Sequence, residues 1–153
     1  MATLDTAISI ACRAHAGQKD KAGKPYILHV VRVVLGCSTE EEQIVAALHD
    51  VLEDCPDFSE SDLVSAGFSQ RIVNAVDALT RRSETYTDYL LRLSDNQLAC
   101  RVKLADLRDN LDRSRIPNPT GRDLTRWEKY EEATKLLLGP RATQAQVVKG
   151  RQL

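Results

Sequence analysis

The sequence predicts an all-α chain folded as one domain of about eight helices, and three observations carry that prediction. Apolar residues recur at intervals of three and four almost throughout. No stretch sustains the β-branched alternation, bounded by turn residues, that marks a strand. Serine or threonine stands ahead of several apolar runs, where a hydroxyl can accept from free backbone amides. The 153 residues, 42% hydrophobic and 28% charged, are enough for one domain with a sizeable core.

The elements follow in order. Thr3 to His15 reads as a first helix, with Leu4, Ile8, Ala11 and Cys12 on one face and Gly17 past its end. The stretch from Gly17 to Pro25 is too rich in glycine and charge to be helical, and it delivers the chain to an apolar segment, Ile27 to Leu35. Ser38-Thr39-Glu40-Glu41 offers a hydroxyl cap with an acid three residues on, introducing a helix from Glu40 to Leu52 that Pro56 closes. Ser59 to Ala66 and Ser69 to Thr80 follow, each opened by a serine; Thr85 to Leu93 and Gln97 to Leu111 form another pair. Pro117 and Pro119 break the pattern before a last helix, Arg122 to Leu138. The domain is expected over 1–139, with a loose polar tail over 140–153.

Charge and cysteine usage restrict the partners. A formal net charge of −1 offers no basic field for nucleic acid, so a small-molecule partner is expected instead. Cys12, Cys37, Cys55 and Cys100 stand far apart with no C-x-x-C spacing, which argues against a disulfide framework and a thiolate zinc site and suits a reducing cytoplasm. The first sixteen residues do not read as a signal peptide, and no apolar run approaches the roughly 18 residues of a membrane span. A cytoplasmic protein with no membrane partner is expected; a homo-oligomer stays open.

The chemistry concentrates in His49-Asp50-Val51-Leu52-Glu53-Asp54, four ionisable side chains in six positions. On a continuous helix Glu53 lies about 40° round from His49, Asp50 about 100° and Asp54 about 140°, with Ile44, Leu48, Val51 and Leu52 opposite. Ala46 and Ala47 then fall on the polar side, where small side chains would leave room for an ion. A neutral imidazole and an adjacent carboxylate can bind one divalent cation, but two ligands hold it weakly. Further ligands must come from elsewhere; His29 stands early in an otherwise apolar helix, and Asp106 lies in a later one. Lys103, Asp106 and Asn110 share a face at i, i+3 and i+7.

His29, then His49-Asp50, then Asp106 resembles the H…HD…D pattern of HD metal-dependent phosphohydrolases. His15-Ala-Gly17-Gln18, Gly23-x-Pro25-Tyr26-Ile27-x-His29, His49-Asp50-x-x-Glu53-Asp54 and Lys103-Leu-Ala-Asp106-x-x-x-Asn110 together resemble the hydrolase branch of the RelA/SpoT group, small alarmone hydrolases included, from the first helix to about Tyr130. The resemblance implies an HD-domain helical fold and guanosine 3′,5′-bis(diphosphate) 3′-pyrophosphohydrolase activity. It makes His29, His49, Asp50 and Asp106 metal ligands, manganese being the usual ion; the mixed nitrogen and oxygen donors also admit iron or zinc. It makes Glu53 and Asp54 the acid pair beside the catalytic water, puts Lys21 and Lys103 on the phosphate side, and turns Asn110 to the nucleoside.

The chain departs from that pattern at Asp20, where the family usually has an arginine against the guanine ring, at Ala22 for a usual serine, and at Val30 for a usual proline. An acid cannot supply cationic stacking. Two alternatives therefore stand: removal of a 2′- or 3′-phosphate from another nucleotide or cofactor, and a sensor module that holds a nucleotide without cleaving it. Arg108, Arg113 and Arg115 are further cations near the Asp106 helix. His15 is expected to be structural, the charges of the last helix to be solvated, and Trp127 and Tyr130 to be packing residues.

Overall fold

The computed structural model describes residues 1–140. Among them are nine α-helices and no named strand: α1 (Leu4–Ala14), α2 (Ile27–Leu35), α3 (Glu40–Leu48), α4 (Val51–Asp54), α5 (Glu60–Ser65), α6 (Gln70–Leu79), α7 (Tyr86–Leu93), α8 (Gln97–Asn110) and α9 (Gly121–Leu138), with a 3-10 turn at Arg113–Arg115. The all-α architecture is the one the apolar spacing predicts. The tail expected to be loose lies, beyond Pro140, outside the described residues.

α3 is the central helix, packed against α1, α2, α6 and α8. Its length from Ile44 to Leu48 is buried on all sides, so it carries no amphipathic stripe and reads as a core helix. Ala46 and Ala47 are both 0% exposed and belong to the apolar core, which corrects the expectation that they clear space for an ion. Their small side chains serve close helix packing instead. Leu48, Leu63, Leu93 and Leu107 fill the same core, which runs without interruption from Ala7 on α1 to Ala133 on α9.

Caps set where the helices start. The box that opens α3 is Thr39 with Glu42, one residue on from the expected Ser38 and Glu41: the Glu42 amide donates to Thr39 Oγ1 at 3.2 Å, and Glu42 Oε2 accepts from the Thr39 amide at 3.2 Å and the Ser38 amide at 2.9 Å. Asn96 opens α8, accepting the Ala99 amide at 2.9 Å. The loop before α2 turns at Gly17 and Gly23, whose φ values of 79° and 77° only glycine adopts without strain, and a Lys19–Pro25 bridge closes it. No helix among the described residues is long and apolar enough to cross a membrane.

The helix expected from Glu40 to Leu52 breaks at its functional dipeptide. α3 ends at Leu48, His49 and Asp50 form a turn with Asp50 at φ −106° and ψ 0°, and α4 resumes at Val51. The angular separations expected for a continuous helix therefore do not hold for Glu53 and Asp54. The turn aims both members of the dipeptide at one point, which adjacent residues of a regular helix, about 100° apart, cannot do.

Candidate metal centre

Four helical segments meet beneath one open cavity of about 400 Å³. α2 contributes His29, the break between α3 and α4 contributes His49 and Asp50, and α8 contributes Asp106. His49 Nε2 stands 2.8 Å from Asp50 Oδ2 and 3.7 Å from Asp106 Oδ1; His29 Nε2 stands 3.9 and 3.1 Å from the same two oxygens. Ligand atoms held 2.0–2.2 Å from one ion lie about 3–4 Å apart, so the spacing suits a single divalent cation.

Both imidazoles are oriented by their other nitrogen. His49 Nδ1 donates to the Ala46 carbonyl at 2.6 Å, the i−3 position on its own helix. His29 Nδ1 donates to Asp109 Oδ2 at 2.6 Å, and Arg32 Nε holds that carboxylate at 2.6 Å from the other side. Each bond fixes the tautomer that leaves an Nε2 lone pair facing the cluster. His49 Nε2 is buried and has no hydrogen-bond partner. An orphaned basic nitrogen between two carboxylates is a donor set that a cation satisfies, so the residues fit the group.

The electrostatics agree. Burial pulls the His49 imidazole down, but the Asp50 and Asp106 carboxylates outweigh it and lift it well above its ordinary value; His29 is lifted the same way through Asp106 and Asp109. Burial opposes ionisation of Asp50, yet the charge of the His49 imidazole beside it holds it at about 2. The raised bases and lowered acids are shifts of mutual pairing, and they keep both carboxylates ionised beside the imidazoles. Tyr26 donates its hydroxyl to Asp50 Oδ2 at 2.5 Å, fixing that carboxylate from the loop side.

The remaining residues predicted for the site divide into two groups. Glu53 and Asp54 sit on α4, exposed on the cavity wall, with Glu53 Oε2 accepting the Arg81 amide at 3.0 Å. Burial, then the charges of Asp50 and Glu53, raise the Asp54 carboxyl. Lys21 is exposed at the mouth. Lys103 and Asn110 line the cavity, but both also grip Asp106: Lys103 Nζ donates to Oδ2 at 2.8 Å and Asn110 Nδ2 to Oδ1 at 2.7 Å. The shared face of α8 is thus spent partly on holding one carboxylate.

Asp20 lines the cavity with its carboxylate tied down. Oδ1 accepts the amides of Ala22 and Lys24, both at 2.9 Å, and Oδ2 faces Arg115 Nη1 at 3.4 Å. Arg115 Nη2 also donates to the Asp109 carbonyl at 2.7 Å and lies 3.2 Å from Asp109 Oδ2, so it joins the loop to the carboxylate behind His29. Of the three arginines near α8, Arg115 faces the site, Arg113 pairs with Glu131 and lies over Trp127, and Arg108 is exposed.

Sequence reasoning missed Asp109 as the support of His29 and missed α9. Arg126 and Tyr130 line the cavity, correcting the expectation of solvated charge and packing alone, whereas Trp127 is buried as expected. A second carboxylate one turn beyond Asp106 was the available signal for Asp109. Arg126 and Tyr130 share a face at i, i+4, but local sequence does not say what that face meets. His15 is buried and structural, its Nδ1 bonded to Gln18 Oε1 at 2.8 Å.

The HD domain family model matches residues 7–108, a span that includes His29, His49, Asp50 and Asp106. Guanosine-3′,5′-bis(diphosphate) 3′-pyrophosphohydrolase MESH1 of Drosophila melanogaster is 33% identical over 149 residues, covering 85% of this chain and 82% of the fly protein. Proteins named guanosine-3′,5′-bis(diphosphate) 3′-pyrophosphohydrolase from Aquifex aeolicus and Vibrio cholerae are each 30% identical, over 121 and 118 residues. Those matches cover 71% and 67% of this chain but only 17% and 16% of the two longer proteins. The chain therefore belongs to the HD domain family, in the branch that holds these pyrophosphohydrolases.

Proposed function

We propose that this chain is a metal-dependent phosphohydrolase that cleaves the 3′-pyrophosphate from guanosine 3′,5′-bis(diphosphate), with His29, His49, Asp50 and Asp106 holding one divalent ion, manganese by preference. The observation that carries this reading is the convergence of four ligand atoms beside an acid pair, under a cavity that Lys21, Arg115 and Arg126 also line. The match to the fly protein over most of both chains supports the substrate. The continuous core from Ala7 to Ala133 supports reading 1–139 as one catalytic domain. Four free cysteines support a cytoplasmic setting.

When bound, the ion would lower the pKa of a water and polarise the phosphoryl oxygens. Asp54, whose proton affinity is raised, is placed to accept the proton of that water, and Glu53, anchored by the Arg81 amide, to orient it. The water oxygen bonds to the proximal phosphorus as the bond from phosphorus to the ribose 3′ oxygen breaks. The proton returns to that oxygen through the acid pair or solvent, giving GDP and pyrophosphate. Lys21 and Lys103 offset phosphate charge, and Asn110 faces the nucleoside.

A second reading, removal of a 2′- or 3′-monophosphate from another nucleotide, is favoured by Asp20, whose carboxylate is committed to its own loop and to Arg115 where the resemblance calls for a stacking arginine. Product analysis of manganese-loaded protein with guanosine 3′,5′-bis(diphosphate) decides between them, with Asp106→Asn as control. GDP and pyrophosphate from the parent alone support the first reading; intact alarmone with phosphate released from other nucleotides supports the second. Nucleotide-stabilised melting with no turnover of any substrate points to a sensor.

A further inference from the structure

Behind Glu53 lies a second, smaller cavity of about 170 Å³. Asp50, Glu53, Lys103 and Tyr130 line both cavities, so one member of the metal cluster and one of the acid pair stand on the partition between them. Its far wall is made of Arg81, Lys129 and Tyr86. The Arg81 guanidinium lies over the Tyr86 ring at 5.5 Å, and Lys129 Nζ lies over the same ring at 4.5 Å and over Tyr130 at 5.5 Å. The Tyr86 hydroxyl is buried and has no hydrogen-bond partner.

Lys103 is paired with Asp106, which leaves Arg81 and Lys129 as the cations of the far wall. Arg81 Nη2 reaches only the Glu84 carbonyl, at 3.4 Å. Burial and then four neighbouring cations, Arg81, Lys21, Lys103 and Arg126, lower Lys129, while Asp50 and Glu53 are the acids that line the same cavity. Stable surfaces intersperse charges of both signs, so cations gathered around an unsatisfied hydroxyl mark a place where an anion belongs. A space worth on the order of five waters, at ~30 Å³ each, admits one phosphate group and excludes a nucleoside.

We propose that this side cavity is a second anion subsite, in which Arg81, Lys129 and the Tyr86 hydroxyl take the distal phosphate of a diphosphate ester while its proximal phosphate sits at the metal cluster. The proposal rests on the phosphohydrolase reading of that cluster and sharpens it: the site selects pyrophosphoryl over monophosphoryl substrates, whichever base they carry. The nucleoside occupies the larger cavity, the scissile phosphorus lies above the partition, and pyrophosphate departs on the side away from the nucleoside.

Titration calorimetry of the metal-free protein with inorganic pyrophosphate and with inorganic phosphate tests this without turnover. The parent is expected to bind pyrophosphate at least tenfold more tightly than phosphate. The double variant Arg81→Gln/Lys129→Gln, altered only at exposed side chains, is expected to lose that preference, and Tyr86→Phe to lose part of it. With nucleotides, the same double variant is expected to lower the ratio of kcat/KM for guanosine 3′,5′-bis(diphosphate) over a nucleoside 3′-monophosphate at least tenfold. No pyrophosphate preference in the parent, or one that survives the double variant, overturns the subsite. If the parent turns over no nucleotide, the functional reading fails, and the titration still decides the subsite.

Discussion

At the floor of the large cavity His29, His49 and Asp106 are 3%, 2% and 4% exposed, whereas Lys21 at its mouth and Arg81 and Lys129 on the wall of the smaller cavity stand in solvent on a loop, a helix approach and α9. The floor groups are held by short bonds: Ala46 and Asp109 orient the imidazoles, while Lys103 and Asn110 orient Asp106. The mouth groups are long, flexible cations with few such bonds. Burial makes the difference. An ionisable group taken out of water must be matched in charge and hydrogen bonding, whereas one at the surface is solvated wherever it points. The floor is therefore preorganised for one ion, and the mouth is adaptable enough to receive a charged ligand.

Removing a floor ligand should break this arrangement most severely. Asp106→Asn is expected to weaken manganese binding by more than ~100-fold and abolish hydrolysis, because a ligand matters at least as much as the groups that orient it. Metal analysis of the dialysed protein checks it; retained stoichiometric metal would remove Asp106 from the ligand set. Asp109→Asn, one bond further out, should cost about 10–100-fold in metal affinity with the helical signal intact. An affinity equal to the parent's would mean that Arg32 and Asp109 serve only packing.

The mouth should respond more mildly. Asp20→Ala frees the loop amides and releases Arg115, and a rise in KM of about tenfold, near 1.4 kcal/mol, is expected with kcat less affected. A fall in kcat alone would place Asp20 with the floor. Far from both regions, Glu42 supplies a scale for ordinary burial of an acid. Burial opposes its ionisation, but the Ser38 and Thr39 amides and Arg101 win and hold its carboxyl below the usual range. Its stabilisation is therefore present above the unfolded value of ~4.3 and fades as pH falls through the lower folded value. Glu42→Gln should cost about 1 kcal/mol at neutral pH, the difference closing toward ~pH 3 in urea denaturation. A gap that persists unchanged in acid would assign the loss to shape rather than charge.

The floor was largely legible in the sequence. His29, His49-Asp50 and Asp106 stand in short motifs whose spacing constrains direction, and the structure brings all four together. The break after Leu48 was not legible, because every residue from Ile44 to Leu52 suits a helix and the turn is set by what His49 and Asp50 must face. Ala46 and Ala47 were misplaced for the same reason: a helical wheel assumes one buried side, and α3 is surrounded.

The order of polar and apolar residues by itself determined that the chain is helical, where most helices start, and which residue types could hold an ion, since periodicity, caps and donor chemistry are local properties. Only the tertiary structure decided that Asp109 stands behind His29, that Asp20 is answered by Arg115, and that α9 brings Arg126, Lys129 and Tyr130 to the site. Those pairings join residues as much as 95 positions apart, and packing of whole helices around α3, not any local preference, sets which faces meet.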